Sequence, residues 1–171
     1  MAKNGGPSHS DDAAMAHPKY SLPEIERRWL VSPGCPTGLE NLPHWVVEDM
    51  YIEGTHLRLR KMSSSRGEVV YKFCKKYGRV ASLANPMTNI YLSEAEYRTL
   101  SMLKGRSICK RRYAVAGGSI DVYPDLPSVA IFEMEFESEG DAADYVPPGF
   151  VGDEVTRDAQ YSGDALASSV A

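Results

Sequence analysis

Charged side chains stand two or four residues apart in several segments of this 171-residue chain. Side chains at i and i+2 of a β-strand point to the same face, so this spacing predicts strands with one charged face. The signs segregate by segment, whereas solvated strand faces usually mix them. The acidic pairs are Glu24/Glu26 and Glu133/Glu135, the basic pairs are Arg58/Arg60, Lys72/Lys76 and Lys110/Arg112, and Arg28 follows the first acidic pair.

Like charges on one strand face repel each other, so an opposite charge should compensate them. Arg can donate two hydrogen bonds at once to phosphate oxygens, and Lys supplies a point charge. Carboxylates are the ligands that hard cations such as Mg²⁺ and Mn²⁺ prefer. If the strands close into a barrel, the charged faces line its interior and form a site for a metal-bound polyphosphate. The alternative is a sheet with one solvated face.

The net charge of −4 conceals a strong partition along the chain. Residues 1–57 hold 4 basic and 8 acidic side chains, residues 58–112 hold 14 and 3, and residues 113–171 hold 1 and 12. An anion bound through a metal ion needs both signs, whereas a nucleic-acid binder needs only the basic part. The basic strands also lack the interleaved aromatic side chains that stack on bases. We therefore do not expect a nucleic-acid partner.

The hydrophobic fraction of 43% is too high for a disordered chain. No apolar run approaches the roughly 20 residues of a membrane-spanning helix, and residues 1–18 lack the apolar core of a signal peptide. Three widely spaced cysteines argue against a zinc ribbon and favour reduced thiols. We therefore expect a cytoplasmic protein with no membrane partner. Its predicted organisation is a flexible leader at 1–19, a single domain at 20–167 and a flexible tail at 168–171.

Alternation of apolar and polar residues, interrupted by turn signals, predicts eight strands. Ser93 and Glu96 form a capping box that begins the clearest helix. A short helix is expected after Ser138, and a second, weak one around 153–159. The predicted strands are 24–31, 44–52, 56–61, 69–76, 87–92, 107–114, 119–123 and 129–136.

These motifs, in this order, resemble the CYTH superfamily, the triphosphate tunnel metalloenzymes. The resemblance spans about residues 20–167, and each motif is weak alone but specific in combination. The matching segments are Glu24-Ile25-Glu26-Arg27-Arg28 for E-x-E-x-K, Arg58-Leu59-Arg60 for R-x-R, Lys76-Tyr77-Gly78 for Lys-x-Gly, LSEAEY at 92–97, Lys110-Arg111-Arg112-Tyr113 for K-x-R-Y, Asp121 for E-x-D, Glu133-Met134-Glu135 for E-x-E, and PPGFVGDEVT at 147–156 followed by Tyr161-Ser162.

The resemblance implies an α+β, mainly β fold, in which a closed eight-stranded antiparallel β-barrel forms a triphosphate tunnel with a few flanking helices. It also implies a Mg²⁺ or Mn²⁺ cofactor and a small-molecule triphosphate or polyphosphate anion as partner. The activity expected first is metal-dependent hydrolysis of inorganic triphosphate. Hydrolysis of thiamine triphosphate is a further candidate, but the sequence shows no motif for thiamine, as it shows none for adenine. The alternatives are a class IV adenylate cyclase and a non-catalytic polyphosphate or nucleotide sensor. A homodimer is left open.

The resemblance also assigns roles to individual residues. Lys72 shares a predicted face with Lys76, but its match to the family is less clear than that of the other residues. The expected catalytic residues are Glu24, Glu26 and Arg28, the expected metal ligands are Glu24, Glu26, Asp121, Glu133 and Glu135, and the expected phosphate-binding residues are Arg58, Arg60, Lys72, Lys76, Lys110 and Arg112.

Several tunnel positions depart from the family pattern. Together these changes predict a tunnel more positive than that of a standard triphosphatase. They leave open a weak second metal site, a preference for a different polyphosphate, or anion binding without catalysis. The altered positions are Arg28 in place of Lys, Ser119 in place of an acid, Met87 and Asn89 in place of carboxylates, and Ala159 in place of Lys.

Overall fold

A computed structural model of the chain describes residues 18–34, 36–78 and 83–170. These residues form nine β-strands, three α-helices and two short 3₁₀ helices. The strands are β1 (Leu22–Val31), β2 (His44–Ile52), β3 (Leu57–Ser64), β4 (Val69–Lys76), β5 (Ala84–Leu92), β6 (Gly105–Val115), β7 (Gly118–Val122), β8 (Ala130–Phe136) and β9 (Val151–Glu154). The α-helices are α1 (Glu94–Leu100), α2 (Glu139–Asp144) and α3 (Gly163–Ser169), and the 3₁₀ helices span Leu39–Asn41 and Ala159–Tyr161.

Eight of these strands close into an antiparallel barrel, in the order β1, β5, β4, β3, β2, β6, β7, β8 and back to β1. β1 closes the ring because its first half pairs with β5, through Leu22 opposite Met87. Its second half pairs with β8, through Arg28 opposite Glu133. The predicted closed eight-stranded barrel with flanking helices is therefore confirmed, and β9 is an additional strand.

Local sequence signals set several element boundaries. β2 and β4 begin and end where alternation predicts, at 44–52 and 69–76. β5 begins earlier than predicted, at Ala84, because its first residues pair with β1. The capping box is present before α1, where the Ser93 side chain accepts from the Glu96 amide and the Glu96 carboxylate accepts from the Ser93 amide. Each contact satisfies an amide that the first helical turn leaves unpaired.

The prediction of a helix around 153–159 is wrong, because part of this segment belongs to β9, which pairs with β1. β5 leaves β1 after Ile25, so the same edge of β1 would be unpaired beyond that point. β9 takes up this edge, with Trp29 opposite Glu154. Buried backbone amides and carbonyls need partners, and this requirement outweighs a weak local helix preference.

One hydrophobic cluster lies on the outside of the barrel. Trp29, Ile120 and Phe132 are buried there, and Tyr145 and Phe150 pack against them. In β1 and β8 these side chains alternate with the charged positions. The segment between α2 and β9 therefore covers one outer wall of the barrel, and the charged residues face the other way.

A second cluster closes one end of the barrel. Ile108 and Ile131 are buried with Leu166 and Ala167 of α3, and Tyr123 completes the cluster. A salt bridge of 2.9 Å between Arg106 and Asp164 joins β6 to α3. This end of the interior is therefore filled with apolar side chains.

The start of α3 needs a glycine. A Cβ atom added to Gly163 would lie 1.8 Å from the Tyr51 hydroxyl oxygen, which any larger residue would have to displace. α3 continues to Ser169, so the tail boundary predicted at 167 falls inside this helix. The predicted leader lies outside the described residues apart from Pro18 and Lys19.

Within the described ranges, no helix is both long enough and apolar enough to cross a membrane. Cys74 and Cys109 are free thiols, and Cys35 lies outside the described residues. Cys74 on β4 is buried, at 1% exposure.

Candidate active site

The strand register places every predicted site side chain on the interior face of the barrel. Directly opposite residues of an antiparallel pair point to the same side, and Glu26 lies opposite Glu135. Arg28 and Lys110 are each 6% exposed and Asp121 is 0% exposed, so this face is buried and the solvated-sheet alternative is wrong. The pairs that continue the face around the barrel are Arg28/Glu133, Glu133/Ser119, Asp121/Arg112, Lys110/Val47, Asp49/Arg60, Arg60/Lys72, Arg58/Cys74, Lys76/Met87 and Asn85/Glu24.

Two carboxylates hold three cations in the middle of the interior. Asp121 accepts hydrogen bonds from Arg112 Nε and Nη2 at 2.7 and 2.6 Å, and one from Lys110 Nζ. Glu133 accepts from Arg28 Nε at 3.1 Å and from Arg112 Nη2. Arg112 thus bridges β7 and β8, and both oxygens of Asp121 are occupied.

The cations of this deep cluster keep Glu133 ionised. Burial alone would raise the pKa of Glu133, but the charges of Lys110, Arg112 and Arg28 hold that pKa well below its ordinary value. Burial lowers the pKa of Lys110, against the effect of the Asp121 and Glu133 charges. Glu133 is therefore a carboxylate at neutral pH, suited to binding a cation rather than to donating a proton.

Asp49 on β2 is an interior carboxylate that the sequence did not predict. Arg60 Nε and Nη2 donate to its two oxygens at 2.6 and 2.7 Å, and Arg58 Nε lies 3.7 Å from its Oδ1. One signal was available in the sequence. Asp49 stands two residues from Val47 and Tyr51 on the same strand face, so it is a lone charge among residues that favour burial.

The interior opens to solvent along the ends of β5 and β8. Glu135 is exposed, and Tyr91 is 70% exposed although it points to the interior face. Lys76 Nζ donates to Glu24 Oε2 at 2.8 Å, and Lys72 Nζ lies 5.0 Å from the centre of the Tyr91 ring. We call the set Glu24, Lys72, Lys76, Tyr91 and Glu135 the mouth; Tyr91 and Glu135 are exposed, and the other three are part-buried.

Glu26 lies between the mouth and the deep cluster. Its carboxylate makes no hydrogen bond or salt bridge within the part of the chain that the structure describes. Burial, followed by the charges of Glu133 and Glu24, raises the pKa of Glu26 to about 7. An added cation would stabilise the charge that these neighbours oppose.

Three of the positions that depart from the family pattern lie on the interior face of the barrel, as expected of tunnel positions. Ser119 faces Glu133, Met87 faces Lys76 and Asn89 faces Cys74, all on the interior side. Ala159, in contrast, is exposed on the second 3₁₀ helix.

Arg28 uses its guanidinium in a way that a lysine could not. Besides the contact to Glu133, its Nη2 donates to the Tyr161 carbonyl oxygen at 2.9 Å. Its backbone amide donates to Thr156 Oγ1 at 2.9 Å. Because a lysine has a single nitrogen, it lacks the fork that spans these two acceptors. Arg28 therefore ties the C-terminal segment to the acidic side of the site.

A cavity of about 360 Å³ opens at the end of the barrel opposite α3. Its lining includes Trp45, Ser64, Arg112 and Ser119. Trp45 stands near the start of β2, whereas Tyr51, near the other end of that strand, contacts α3. Because Arg112 also belongs to the deep cluster, a solute in this cavity contacts the charged interior directly.

The deep cluster, together with Asp49 and its partners Arg58 and Arg60, has an excess of positive charge, since five cations face three carboxylates. Such a surplus, in a site that water only partly screens, favours a multivalent anion. The cations are Arg28, Arg58, Arg60, Lys110 and Arg112, and the carboxylates are Asp49, Asp121 and Glu133.

No protein-family profile matches the chain. A search of characterised proteins finds the inorganic triphosphatase of Nitrosomonas europaea, which is 29% identical over 160 residues, covering 87% of this chain and 99% of that protein. Among solved structures, one described as the hypothetical protein NE1496 has a TM-score of 0.54 at 25% identity, covering 86% of this chain and 98% of its own. One described as the inorganic triphosphatase NE1496 also has a TM-score of 0.54, at 24% identity over 88% of this chain and 96% of its own. At 24% identity, the match to this second structure supports only the fold.

Proposed function

We propose that the chain is a member of the CYTH superfamily of triphosphate tunnel metalloenzymes and that it hydrolyses a phosphoanhydride bond of a triphosphate bound inside the barrel. Inorganic triphosphate is the first substrate to test, since the Nitrosomonas europaea relative is described as an inorganic triphosphatase. The observation that supports this most directly is the closed barrel, whose interior brings cations from β1, β3, β4 and β6 together.

The buried cations bind and orient the phosphates. A triphosphate has about four negative charges, and phosphoryl transfer depends mainly on positioning and charge stabilisation. Arg112 and Lys110 stand beside Arg58 and Arg60 on the strands flanking β2. The apolar cluster at α3 excludes water from one end of the interior.

Phosphate binding and the internal salt bridges use the same donors. In the described structure Arg112 and Lys110 are occupied by Asp121, and Arg112 also by Glu133. A phosphate chain that takes these donors releases carboxylate oxygens in the same place. The cations are therefore oriented by salt bridges to carboxylates before the substrate binds. They donate to phosphate oxygens instead once it has bound.

The superfamily implies a divalent cation, and we propose Mg²⁺ or Mn²⁺. No three His, Cys, Asp or Glu side chains in the described ranges stand ready to hold a metal ion. The donor chemistry nevertheless fits, because Glu26 has a carboxylate without a salt bridge there and a charge that Glu133 and Glu24 oppose. Glu26 and Glu135 would hold the ion, and Glu24, Glu133 and Asp121 would join them as the cations that now pair with them move away. When bound, the ion neutralises charge on the reacting phosphate.

Phosphate release with Mg²⁺ or Mn²⁺ from inorganic triphosphate, ATP, thiamine triphosphate and longer polyphosphate tests the proposal. We expect release from inorganic triphosphate to exceed that from the organic triphosphates. The absence of release from all four substrates would refute hydrolysis. Formation of cyclic AMP from ATP would instead favour the cyclase.

One observation favours a second candidate, a non-catalytic polyphosphate sensor. Both oxygens of Asp121 are occupied, and Arg28 is held by Glu133 and Tyr161 where the family has a lysine. A sensor would bind triphosphate without releasing phosphate at any metal concentration. Calorimetry of binding, run beside the release assay, separates the two functions.

The cytoplasmic location and the homodimer stay predictions. Size-exclusion chromatography with light scattering measures the oligomeric state directly. Fractionation of the source cells would locate the protein.

A further inference from the structure

We propose that Asp49 is a positioning residue of the triphosphate site, which holds Arg60 and Arg58 in the orientation that receives the phosphates. This inference rests on the proposed function, because it names a residue of that same site. Asp49 lies on β2, which has no acidic motif of its own, between the two basic strands β3 and β6.

The contact between Asp49 and Arg60 has the geometry of a rigid clamp. Both carboxylate oxygens accept from one edge of the guanidinium, Nε at 2.6 Å and Nη2 at 2.7 Å. Two parallel hydrogen bonds fix the plane of the guanidinium as well as its position. The side chain of Asp49 is 1% exposed and that of Arg60 is 10% exposed, so water does not replace either partner.

The clamp leaves donors free for a ligand. It occupies the Nε and Nη2 edge of Arg60, while Nη1 makes no hydrogen bond within the described residues and can donate to a ligand. Arg58 Nε is buried and lacks a hydrogen-bond partner in the described ranges, and it lies 3.7 Å from Asp49 Oδ1, beyond hydrogen-bond distance. A buried donor without a partner is costly, and a phosphate oxygen in the interior would satisfy it.

Asp49 itself remains charged. Burial would raise its pKa, but the charges of Arg60 and Arg58 outweigh burial and hold the pKa below its ordinary value. Coulomb attraction alone therefore predicts that removing this negative charge from the interior tightens anion binding. A positioning role predicts the opposite, because Arg60 and Arg58 lose their orientation. The sign of the change separates the two accounts.

The test measures inorganic triphosphate binding by calorimetry without metal, and kcat and KM with Mg²⁺, for the wild type and Asp49→Asn. Asn has the same shape but offers an amide to Arg60 Nη2, which is itself a donor. We expect triphosphate affinity to fall about 10-fold and KM to rise by a similar factor, in line with a lost charged hydrogen bond. The matched control is Glu48→Gln, the neighbouring residue on the outer face, whose partner is Lys61. Glu48→Gln should leave both the triphosphate affinity and KM unchanged.

If Asp49→Asn is less stable than the wild type, a double variant with Arg60→Gln still tests the inference, because it compares the effect of Asp49→Asn in two backgrounds. In an Arg60→Gln background, Asp49→Asn should add less than about 2-fold to the loss of affinity, since Asp49 acts through Arg60. Equal effects in both backgrounds, or tighter binding by Asp49→Asn, would overturn the inference. A wild type that binds triphosphate without hydrolysing it would refute the proposed function and leave the role of Asp49 standing.

Discussion

The two ends of the barrel interior differ in what fills them. At the α3 end, Ile108, Ile131 and Leu166 pack into a cluster that excludes water. At the mouth, Glu24 and Lys76 pair while Glu135 faces solvent. The deep cluster lies between these regions. The apolar end stabilises the fold, and under the proposed function the charged interior binds the substrate, which enters where the barrel is open.

The largest effect on function is expected from Glu133→Gln in the deep cluster. This change removes the charge that Arg28 and Arg112 both contact. Turnover of triphosphate should fall by about 1,000-fold, as for other preorganised electrostatic groups. Steady-state phosphate release measures the loss.

The control for this variant is Glu94→Gln, which changes an exposed carboxylate of α1 that pairs with Arg98. It should keep wild-type turnover. Unchanged turnover in Glu133→Gln, with the fold intact by circular dichroism, would remove this residue from the site.

Leu166→Ala tests the apolar end. Leu166 is 4% exposed within the cluster that α3 forms with β6 and β8. The substitution should lower the free energy of unfolding by about 3 kcal/mol, as expected for a Leu-to-Ala change that leaves a cavity. Urea unfolding measures the change. KM for triphosphate should stay at its wild-type value under folding conditions, whereas a large rise in KM would show that the two ends are not separate in function.

Arg60→Gln and Lys61→Gln compare the inner and outer faces of one strand. Arg60 is buried against Asp49, whereas Lys61 pairs with Glu48 on the outside. Arg60→Gln should raise KM by about 30-fold, the loss expected when a charged hydrogen bond to phosphate disappears. Lys61→Gln should change KM by less than about 2-fold, as for an exposed ion pair. Equal effects would contradict the assignment of the interior as the binding face.

The smallest expected change is in the pH dependence of stability. The pKa of Asp49 is lowered in the folded state, so its stabilising effect is present above the unfolded pKa and disappears as pH falls through the folded pKa. The stability difference between wild type and Asp49→Asn should therefore stay constant from about pH 7 to pH 5 and narrow only below about pH 4. Urea unfolding at several pH values checks this. Narrowing between pH 7 and pH 5 would contradict the lowered pKa.

Much of the barrel follows from local sequence signals. β2 and β4 match their predicted bounds because alternation and turn residues mark both ends. The charged pairs were placed on one face because the two-residue period of a strand leaves no other choice. The structure adds that the strands close into a barrel, so that this charged face lines the interior.

The features that were missed depend on contacts distant in sequence. β9 is four residues long, and its strand conformation follows from the unpaired edge of β1 rather than from its own pattern. The clamp between Asp49 and Arg60 depends on the register of β2 and β3. The fork of Arg28 to Tyr161 joins residues far apart in the chain. None of these contacts has a local signature, although Asp49 itself stands out as a lone charge between Val47 and Tyr51 on one strand face.

The most direct test of the central claim is a crystal structure of the protein with inorganic triphosphate. The account predicts the phosphates inside the barrel, within hydrogen-bond distance of Arg58, Arg60, Lys110 and Arg112. It also predicts that Arg112 or Lys110 has moved from Asp121 toward phosphate oxygens. Triphosphate bound on the outer face, beside Lys61 or Arg111, with the interior salt bridges unchanged, would contradict it.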